Sequence, residues 1–256
     1  MNVHRLPVSG MDIVLRLPTG AEDMLLVEAS SPSVGLALAL LERVVARLDG
    51  APVDWLALAP TDLDVLLLLL RRRTIGDVIR TDVVCSDSAC GSRVDITFTI
   101  SAFLEHHTPQ PVEGLQRDDN GWLHLAGNSL AFRLPCTGDQ LASALEPDPE
   151  LALVQRCVRG DDISAVARNE IELALERLAP NLASELEGVC PECGATVLAD
   201  FDPLHYTLRE LAAQAKYIYE DVCVIAAHMH WSEQEILALP TARRLRYADV
   251  IHDRVN

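Results

Sequence analysis

Two pairs of closely spaced cysteines constrain the fold of this 256-residue chain more than any other feature. The first pair is Cys85 and Cys90, and the second is Cys190 and Cys193. Both pairs stand in similar segments, V-C-S-D-S-A-C-G-S-R-V at 84–94 and V-C-P-E-C-G-A-T-V at 189–197. This pattern is typical of a zinc knuckle, in which a tight turn presents two thiolates to one ion. Because tetrahedral zinc takes four such ligands, the two pairs together predict one structural zinc site.

The glycines that follow the pairs, Gly91 and Gly194, can adopt the left-handed conformation that turns backbone N–H groups toward the sulfurs. Two alternatives remain open. Cys190 and Cys193 could form a thioredoxin-like redox pair, although the strand–motif–helix context of that role is missing. The pairs could also be free of metal.

The remaining cysteines, Cys136, Cys157 and Cys223, have no close partner in sequence. We expect Cys157 and Cys223, which lie among apolar residues, to be small buried hydrophobic groups. A catalytic zinc is not predicted, because four cysteines leave no open coordination position. His228 and His230 are two residues apart and would point to different helix faces. With no glycine-rich phosphate loop and no serine nucleophile elbow, the sequence predicts no catalytic residues and no enzyme.

The net charge of −17 argues against a nucleic-acid partner, because phosphate binding relies on clustered Lys and Arg. The local exception, Arg71-Arg72-Arg73, follows a leucine-rich segment and is expected to stabilise a helix C-terminus rather than bind an anion. Only 4% of the residues are aromatic, so the core must consist mostly of aliphatic side chains, which favours helices. No apolar signal region follows Met1, and the apolar run at 65–70 is too short to span a bilayer. We therefore expect a protein that folds in the cytoplasm, with no membrane span, where disulfides rarely persist.

The pattern of apolar and turn residues predicts an α+β fold that is predominantly helical, with two zinc-knuckle β-hairpins joined at one four-cysteine zinc site. Further hairpins are predicted around Pro18-Thr19-Gly20, with strands at 11–17 and 24–28, and around Gly127-Asn128. Helices are predicted to begin at Ser31-Pro32, at Thr61 and at Asp148-Pro149. The predicted segments are an N-terminal hairpin and helix (1–52), a helix with the first knuckle and a β-hairpin (53–136), a helical insert with the second knuckle (137–202), and a long C-terminal helix with a short helical tail (203–256). Residues from 53 onward are expected to form one compact unit.

Apolar residues at alternating spacings of four and three follow the segment 204–229. They are Leu204, Leu208, Leu211, Ala215, Ile218, Val222, Ile225 and Met229. This heptad-like seam predicts one long amphipathic helix. The seam either packs in the core of this chain or docks against a helix of another subunit, and the sequence leaves both open.

Several motifs occur in a characteristic order along residues 55–253. A leucine-rich helix beginning Leu58-Ala-Pro-Thr-Asp62 precedes Gly76-Asp77, the first knuckle and a hairpin that ends in Phe132-Arg-Leu-Pro135. The second knuckle and the long helix lead into W-S-E-Q-E-I-L-A-L-P at 231–240 and then R-R-L-R-Y at 243–247. This order resembles the T4-type baseplate protein family, which includes baseplate hub assembly proteins and is encoded with contractile phage tails and phage-tail-like contractile injection systems. The sequence departs from the family pattern in the longer first knuckle and at His230, where Gly or another small residue is common.

The resemblance implies a structural or assembly (chaperone-like) role in the baseplate or its hub, with other baseplate or hub proteins as partners and no small-molecule substrate. The protein would be made in the cytoplasm and incorporated into an assembled tail or injection particle. Trp231, Ile236 and Leu237 are candidate partner-binding residues, since aromatic and aliphatic anchors dominate many interfaces. Alternatively, these residues only fold the last short helix back onto the long one. The runner-up function is a cytoplasmic redox or other enzyme that uses Cys190 and Cys193.

Overall fold

Helices account for 47% of the residues that the structure describes, and the strands form small antiparallel sheets, which confirms a mixed α and β fold. The structure is a computed structural model that describes residues 3–127, 130–160 and 164–255. The helices in these ranges are α1 (Gly20–Glu28), α2 (Val34–Val44), α3 (Pro60–Thr74), α4 (Ile100–His106), α5 (Thr137–Ser143), α6 (Pro149–Cys157), α7 (Ala165–Leu178), α8 (Pro203–Ala215), α9 (Ile218–Met229), α10 (Glu233–Leu237) and α11 (Thr241–Val255). The strands are β1 (Val3–Arg5), β2 (Asp12–Leu15), β3 (Val45–Arg47), β4 (Val78–Val84), β5 (Arg93–Thr99), β6 (Leu115–Arg117), β7 (Leu123–Leu125), β8 (Ala131–Phe132), β9 (Val158–Arg159), β10 (Ser184–Val189) and β11 (Thr196–Phe201).

The N-terminal segment forms a three-stranded sheet in the order β1-β2-β3, and the hairpin predicted around Pro18-Thr19-Gly20 is wrong. Residues 24–28, predicted as a strand, lie in α1. The helix begins here because the Glu22 carboxylate turns back to accept hydrogen bonds from the Thr19 backbone N–H (2.8 Å) and hydroxyl (2.9 Å). This helix start overrides the apolar run that follows it, and β2 pairs with β1 and β3 instead.

Helix α3 lies at the centre of the main hydrophobic core, and Leu66, Leu67, Leu68 and Leu70 are each at most 1% exposed. The same core contains residues from α2 and α8, so it includes side chains from both sides of the predicted boundaries at residues 52 and 202. The division into four segments stays a prediction. Within the described ranges, no helix combines the length and hydropathy needed to cross a bilayer.

The start of α3 shows how distant segments are joined to this core. The helix begins at Pro60, and Thr61, the predicted cap, instead donates its hydroxyl to the Pro180 carbonyl at 2.9 Å. Asp62 is fully buried and accepts hydrogen bonds from the backbone N–H groups of residues 8 and 9 at 2.9 and 2.8 Å. The first turn of α3 therefore fixes both the loop after β1 and the segment before β10.

A four-stranded antiparallel sheet, β6-β7-β8-β9, carries a second hydrophobic cluster that includes Phe132 and Ile171. Strands β7 and β8 flank the predicted Gly127-Asn128 turn and pair with each other. Asn128 itself lies outside the described residues. Strand β9 follows α6 directly and pairs with β8, and apolar residues of α6 and α7 belong to the same cluster as the sheet.

The predicted long C-terminal helix is two helices, α8 and α9, separated at Lys216 and Tyr217. The two halves of the apolar seam face different partners: α8 packs against α1 and α3, whereas α9 packs mainly against α10 and α11. A turn between them lets each half bury its own apolar face. Six of the eight seam residues are buried in this chain, whereas Val222 is partly buried and Met229 at the end of α9 is exposed.

Candidate metal centre

The four paired cysteines lie together at the tips of two antiparallel hairpins. In the first hairpin, β4 and β5, the last paired residues are Val84 and Arg93. In the second, β10 and β11, they are Val189 and Thr196. Each hairpin thus ends directly before its first cysteine. Because β4 lies beside β11, the two tips meet although they are far apart in sequence.

The sulfur atoms have the spacing of a tetrahedral thiolate site. Cys85 Sγ lies 3.6 Å from Cys193 Sγ, and Cys90 Sγ lies 3.8 Å from Cys190 Sγ. All four sulfurs lie within 4.8 Å of one another. Four sulfurs bound to zinc at about 2.3 Å would be about 3.8 Å apart, whereas a disulfide requires about 2.05 Å. The predicted proximity of the four cysteines is therefore confirmed, and the cluster could hold a metal ion.

Backbone N–H groups favour the thiolate form of three of the four cysteines, as metal-bound thiolates require. The donors are Asp87 for Cys85, Ser92 for Cys90 and Ala195 for Cys193. Each donor follows its cysteine by two residues, so the turn conformation itself aims the N–H groups. These hydrogen bonds would offset part of the negative charge of four thiolates.

Each turn contains a backbone hydrogen bond from its glycine to the carbonyl four residues earlier, and comparison of these two bonds explains the unequal spacing of the pairs. The Gly194 N–H donates to the Cys190 carbonyl at 2.9 Å, and the Gly91 N–H donates to the Asp87 carbonyl at 3.0 Å. Both glycines have positive φ, +77° and +58° respectively. Asp87 of the first turn therefore corresponds in position to Cys190 of the second turn. Cys85, two residues earlier, provides the sulfur instead.

The thiols of the cluster differ in acidity without a cation. A hydrogen bond with the Ser92 hydroxyl (3.3 Å) lowers the pKa of Cys90 to about 7. The Ala195 N–H acts in the same direction at Cys193, but desolvation and the neighbouring thiols outweigh it and raise the pKa of Cys193 to about 12. A bound cation would favour the thiolate at every position.

The two hairpins are joined at the tip and at the base. Near the tip, the Ser86 hydroxyl donates to the Thr196 carbonyl at 2.9 Å. At the base, Phe201 of β11 packs edge-on against Phe98 of β5 and Phe103 of α4, each with ring centroids 5.1 Å apart. The cysteine cluster therefore lies on a hairpin pair whose other end is already held by aromatic contacts.

Two of the other cysteines share one carboxylate. Asp139 Oδ2 lies 3.0 Å from Cys136 Sγ and 3.9 Å from Cys157 Sγ, and Arg133 donates two hydrogen bonds to this carboxylate at 2.6 and 2.8 Å. The Arg133 guanidinium holds the pKa of Asp139 well below its usual range. Burial and this negative charge raise the pKa of Cys157 to about 11, so little of the thiol is ionised at neutral pH. Cys157 is buried as predicted, but Cys223 is exposed on α9, and the prediction that it is buried is wrong.

The predicted partner-binding residues lie where the last helices meet the N-terminal segment. Ile236 is fully buried. Trp231 packs edge-on against Tyr247, with ring centroids 5.3 Å apart. Leu237 lies against Gly20, where an added Cβ would be 2.8 Å from the Leu237 Cα. These contacts fit the alternative in which the stretch folds the end of the chain back, and Ile236 is not accessible to a partner in this structure.

A buried ion-pair cluster in the same region was not predicted. Arg244 of α11 is fully buried, donates from Nε to Asp221 of α9 at 3.1 Å, and donates from Nη1 to Asp23 of α1. The signal that could have identified it is the helical spacing of Arg244 with Ala248 and Ile251, which are both buried. The R-R-L-R-Y motif thus contains one arginine on the apolar face of its helix.

Among the described residues, the four cysteines are the only cluster of His, Cys, Asp or Glu side chains arranged to hold a metal. His230 has a positive φ of 57° at the C-terminus of α9, which explains why a glycine would suit this position. His228 instead hydrogen-bonds through Nδ1 to the Val224 carbonyl at 2.9 Å.

The family model described as T4 bacteriophage base plate protein matches residues 1–172. This region contains Cys85 and Cys90 together with the N-terminal 50 residues, which contribute little to the motif order seen in the sequence. Cys190, Cys193 and the stretch at 231–240 lie beyond it. No curated protein and no solved structure matches the chain. Because the match covers 172 of 256 residues, the chain belongs to the T4 bacteriophage base plate protein family.

Proposed function

We propose that this chain is a non-catalytic structural or assembly (chaperone-like) component of the baseplate of a contractile phage tail or contractile injection system. One zinc ion, bound by Cys85, Cys90, Cys190 and Cys193, holds its two hairpins together. Family membership supports the baseplate role. The single observation that supports the zinc site is the spacing of the four sulfur atoms, which is close to that of a tetrahedron.

Zinc suits this donor set better than an iron–sulfur cluster. Four thiolates in a tetrahedral arrangement are typical of structural zinc, and iron centres use the same ligands. In an iron–sulfur cluster several iron and sulfide ions separate the cysteines, so sulfurs on different irons would lie farther apart than the 4.8 Å within which all four lie here. Bound zinc would neutralise the thiolates and cross-link the hairpins, with no open position for a reacting water.

Metal content and stability test this part of the proposal. Elemental analysis of the purified chain should find one zinc per chain and no iron. Cys190→Ser removes a buried ligand, and we expect it to lose the zinc and lower the melting temperature. Cys223→Ser is the matched control, because it makes the same change at an exposed thiol outside the cluster. A chain purified under reducing conditions that contains no metal, and whose melting temperature a chelator leaves unchanged, would refute the zinc site.

The alternative of a redox or other enzyme that uses Cys190 and Cys193 receives no support from the family match. Its geometry is also unfavourable, because Cys190 is only 1% exposed and lies among three other thiols. A structural family favours a non-catalytic role.

The helical insert offers a surface for baseplate partners. Large apolar side chains are exposed here: Leu145 (88%), Leu151 (46%), Val166 (71%) and Leu173 (59%). Between α6 and α7 lies a cavity of about 550 Å³, with apolar walls that include Leu153 and Ile171. We infer that these side chains contact baseplate partners, since apolar groups exposed together are typical of interaction sites. Trp231 and Leu237 are partly exposed and remain candidates for further partner contacts.

Deletion of the gene in a system that produces contractile particles tests the baseplate role. Absence of the chain from finished particles, together with failed assembly in the deletion strain, would identify an assembly factor. A fixed stoichiometry in purified particles would identify a structural subunit. Normal particles without the chain would contradict both forms of the proposal.

A further inference from the structure

A small pocket between β1, α3 and α4 carries positive charge on a chain whose net charge is −17. Four basic side chains line it, namely His4, Arg5, Arg72 and His107. None of the described residues that line it is Asp or Glu. The guanidinium of Arg5 is largely exposed and pairs with Asp12 at 3.5 Å, so Arg72 is the main cation of the pocket wall.

Arg72 forms no direct ion pair in the described part of the chain, and the Asp77 carboxylate is linked to it only through the Ser101 hydroxyl, which donates to Asp77 at 2.9 Å. It is half-buried, and its Nη1 donates to the Ser101 hydroxyl at 3.2 Å. Its neighbour Arg73 donates to the backbone carbonyl of Leu15. Burial, and then the charges of Arg72 and Arg73, lower the pKa of His4. A half-buried guanidinium without a carboxylate leaves hydrogen-bonding capacity for an external anion.

The inner wall of the pocket is apolar. It is formed by Val65, Leu69, Leu104 and Leu182, and Val65, Leu69 and Leu182 are buried. The cavity measures about 220 Å³, the space of about seven water molecules in the liquid. That volume accommodates a side chain of the size of leucine together with a carboxylate.

We propose that this pocket binds a carboxylate attached to a short apolar group, the combination found at the C-terminus of a chain that ends in an apolar residue. Arg72 binds the carboxylate, since the planar guanidinium matches its two oxygens, and the aliphatic wall takes the apolar group. The inference is independent of the zinc site and of the baseplate role, because a purified chain would bind such a ligand without metal or partners.

Small ligands that lack either the carboxylate or the apolar group measure how much each group contributes to binding. N-acetyl-leucine should bind the full chain and shift the imidazole NMR signals of His4 and His107, whereas His228 should not respond. N-acetyl-leucinamide lacks the charge and N-acetylglycine lacks the apolar group, so both should bind at least tenfold more weakly. Hexanoate tests the source: preference for N-acetyl-leucine indicates a chain terminus, and preference for hexanoate indicates a free carboxylic acid.

Two arginine variants locate the site. Arg72→Gln should weaken the binding of N-acetyl-leucine about tenfold or more, which corresponds to the loss of one charge-assisted hydrogen-bonded contact. Arg80→Gln removes the same charge from an exposed position on β4 outside the pocket and should leave the affinity unchanged. Equal binding of N-acetyl-leucinamide, equal losses in both variants, or no imidazole shift up to the solubility of the probe would overturn the proposal.

Discussion

Replacement of Arg244 by methionine should destabilise the chain by about 3–5 kcal/mol at neutral pH. Methionine keeps part of the apolar volume of arginine but removes its charge and its donors. Asp23 and Asp221, which are 4% and 6% exposed, would then remain buried without the guanidinium that pairs with both. Arg244 donates one hydrogen bond to each carboxylate, and each such bond contributes about 1.5–3 kcal/mol. Two bonds give about 3–6 kcal/mol, in agreement with the expected cost of breaking a buried ion pair.

The loss should depend on pH in a direction that follows from Asp221. Its pKa is already raised, because desolvation outweighs the hydrogen bond and charge of Arg244. Without Arg244 the folded-state pKa should rise further. A carboxyl group with a folded pKa above its unfolded value of about 3.9 favours the folded state below that value and loses this contribution as the pH rises through the folded pKa. The variant should therefore be close to the parent in stability at about pH 4 and much weaker at about pH 7.5.

Urea unfolding followed by circular dichroism at both pH values measures the difference. Arg243→Met is the matched control, because it makes the same change one residue earlier at an exposed position. We expect the control to change the free energy of unfolding by less than about 0.5 kcal/mol. A loss below about 1 kcal/mol for Arg244→Met at pH 7.5, or an equal loss in the control, would show that the buried ion pairs do not stabilise this fold.

Three further changes have defined outcomes. His230→Gly should raise the free energy of unfolding by about 0.5–1 kcal/mol in urea titrations, because the positive φ of 57° strains a side chain, and no gain would contradict this. Gly20→Ala should lower the melting temperature and cost about 1–3 kcal/mol, because its Cβ would lie 2.8 Å from the α10 backbone. Gly35→Ala, at a helical site where an added Cβ would meet nothing closer than the Ser33 hydroxyl at 3.9 Å, should not lower it. Asp64→Asn should stabilise the chain at pH 8–9 and have little effect near about pH 4. Desolvation and the charge of Asp202 raise the pKa of the Asp64 carboxyl to about 8. The unmodified carboxyl therefore loses its contribution to stability as the pH rises through that value. Parallel pH–stability curves for both chains would contradict this.

The features that could be predicted from sequence are those specified within a few residues or by a chemical requirement. Asp148 caps α6 by accepting a hydrogen bond from the Leu151 N–H at 3.0 Å, as the Asp-Pro pair predicted. The proximity of the two cysteine pairs could be predicted because a tetrahedral metal ion needs four ligands, whatever the fold of the residues between the pairs. The prediction therefore did not depend on how the 99 residues between Cys90 and Cys190 fold. The sulfurs of these two cysteines lie 3.8 Å apart.

The features that could not be predicted depend on tertiary partners. The seam at 204–229 has a continuous apolar period, yet it breaks at Lys216 and Tyr217 because its two halves pack against different helices. Arg244 and Asp23 are separated by 221 residues, and no local pattern selects this carboxylate among 38 acidic residues. The basic pocket is equally non-local, since it combines residues of β1, α3 and α4.

The boundary of the family match at residue 172 bears on what the metal would do. Cys85 and Cys90 lie inside the matched region, whereas Cys190 and Cys193 lie outside it, so the matched region alone has half of the ligands. The ion pair between Arg244 and Asp23 also joins the two regions, because Asp23 lies inside the matched region and Arg244 lies beyond it. Helix α8 also crosses it, since it packs against α1 and α3. We infer that zinc would not stabilise a separate small domain but would fix the family-defining region relative to the helices beyond it. In an assembly component, such a connection keeps surfaces on both parts in one orientation for their neighbours.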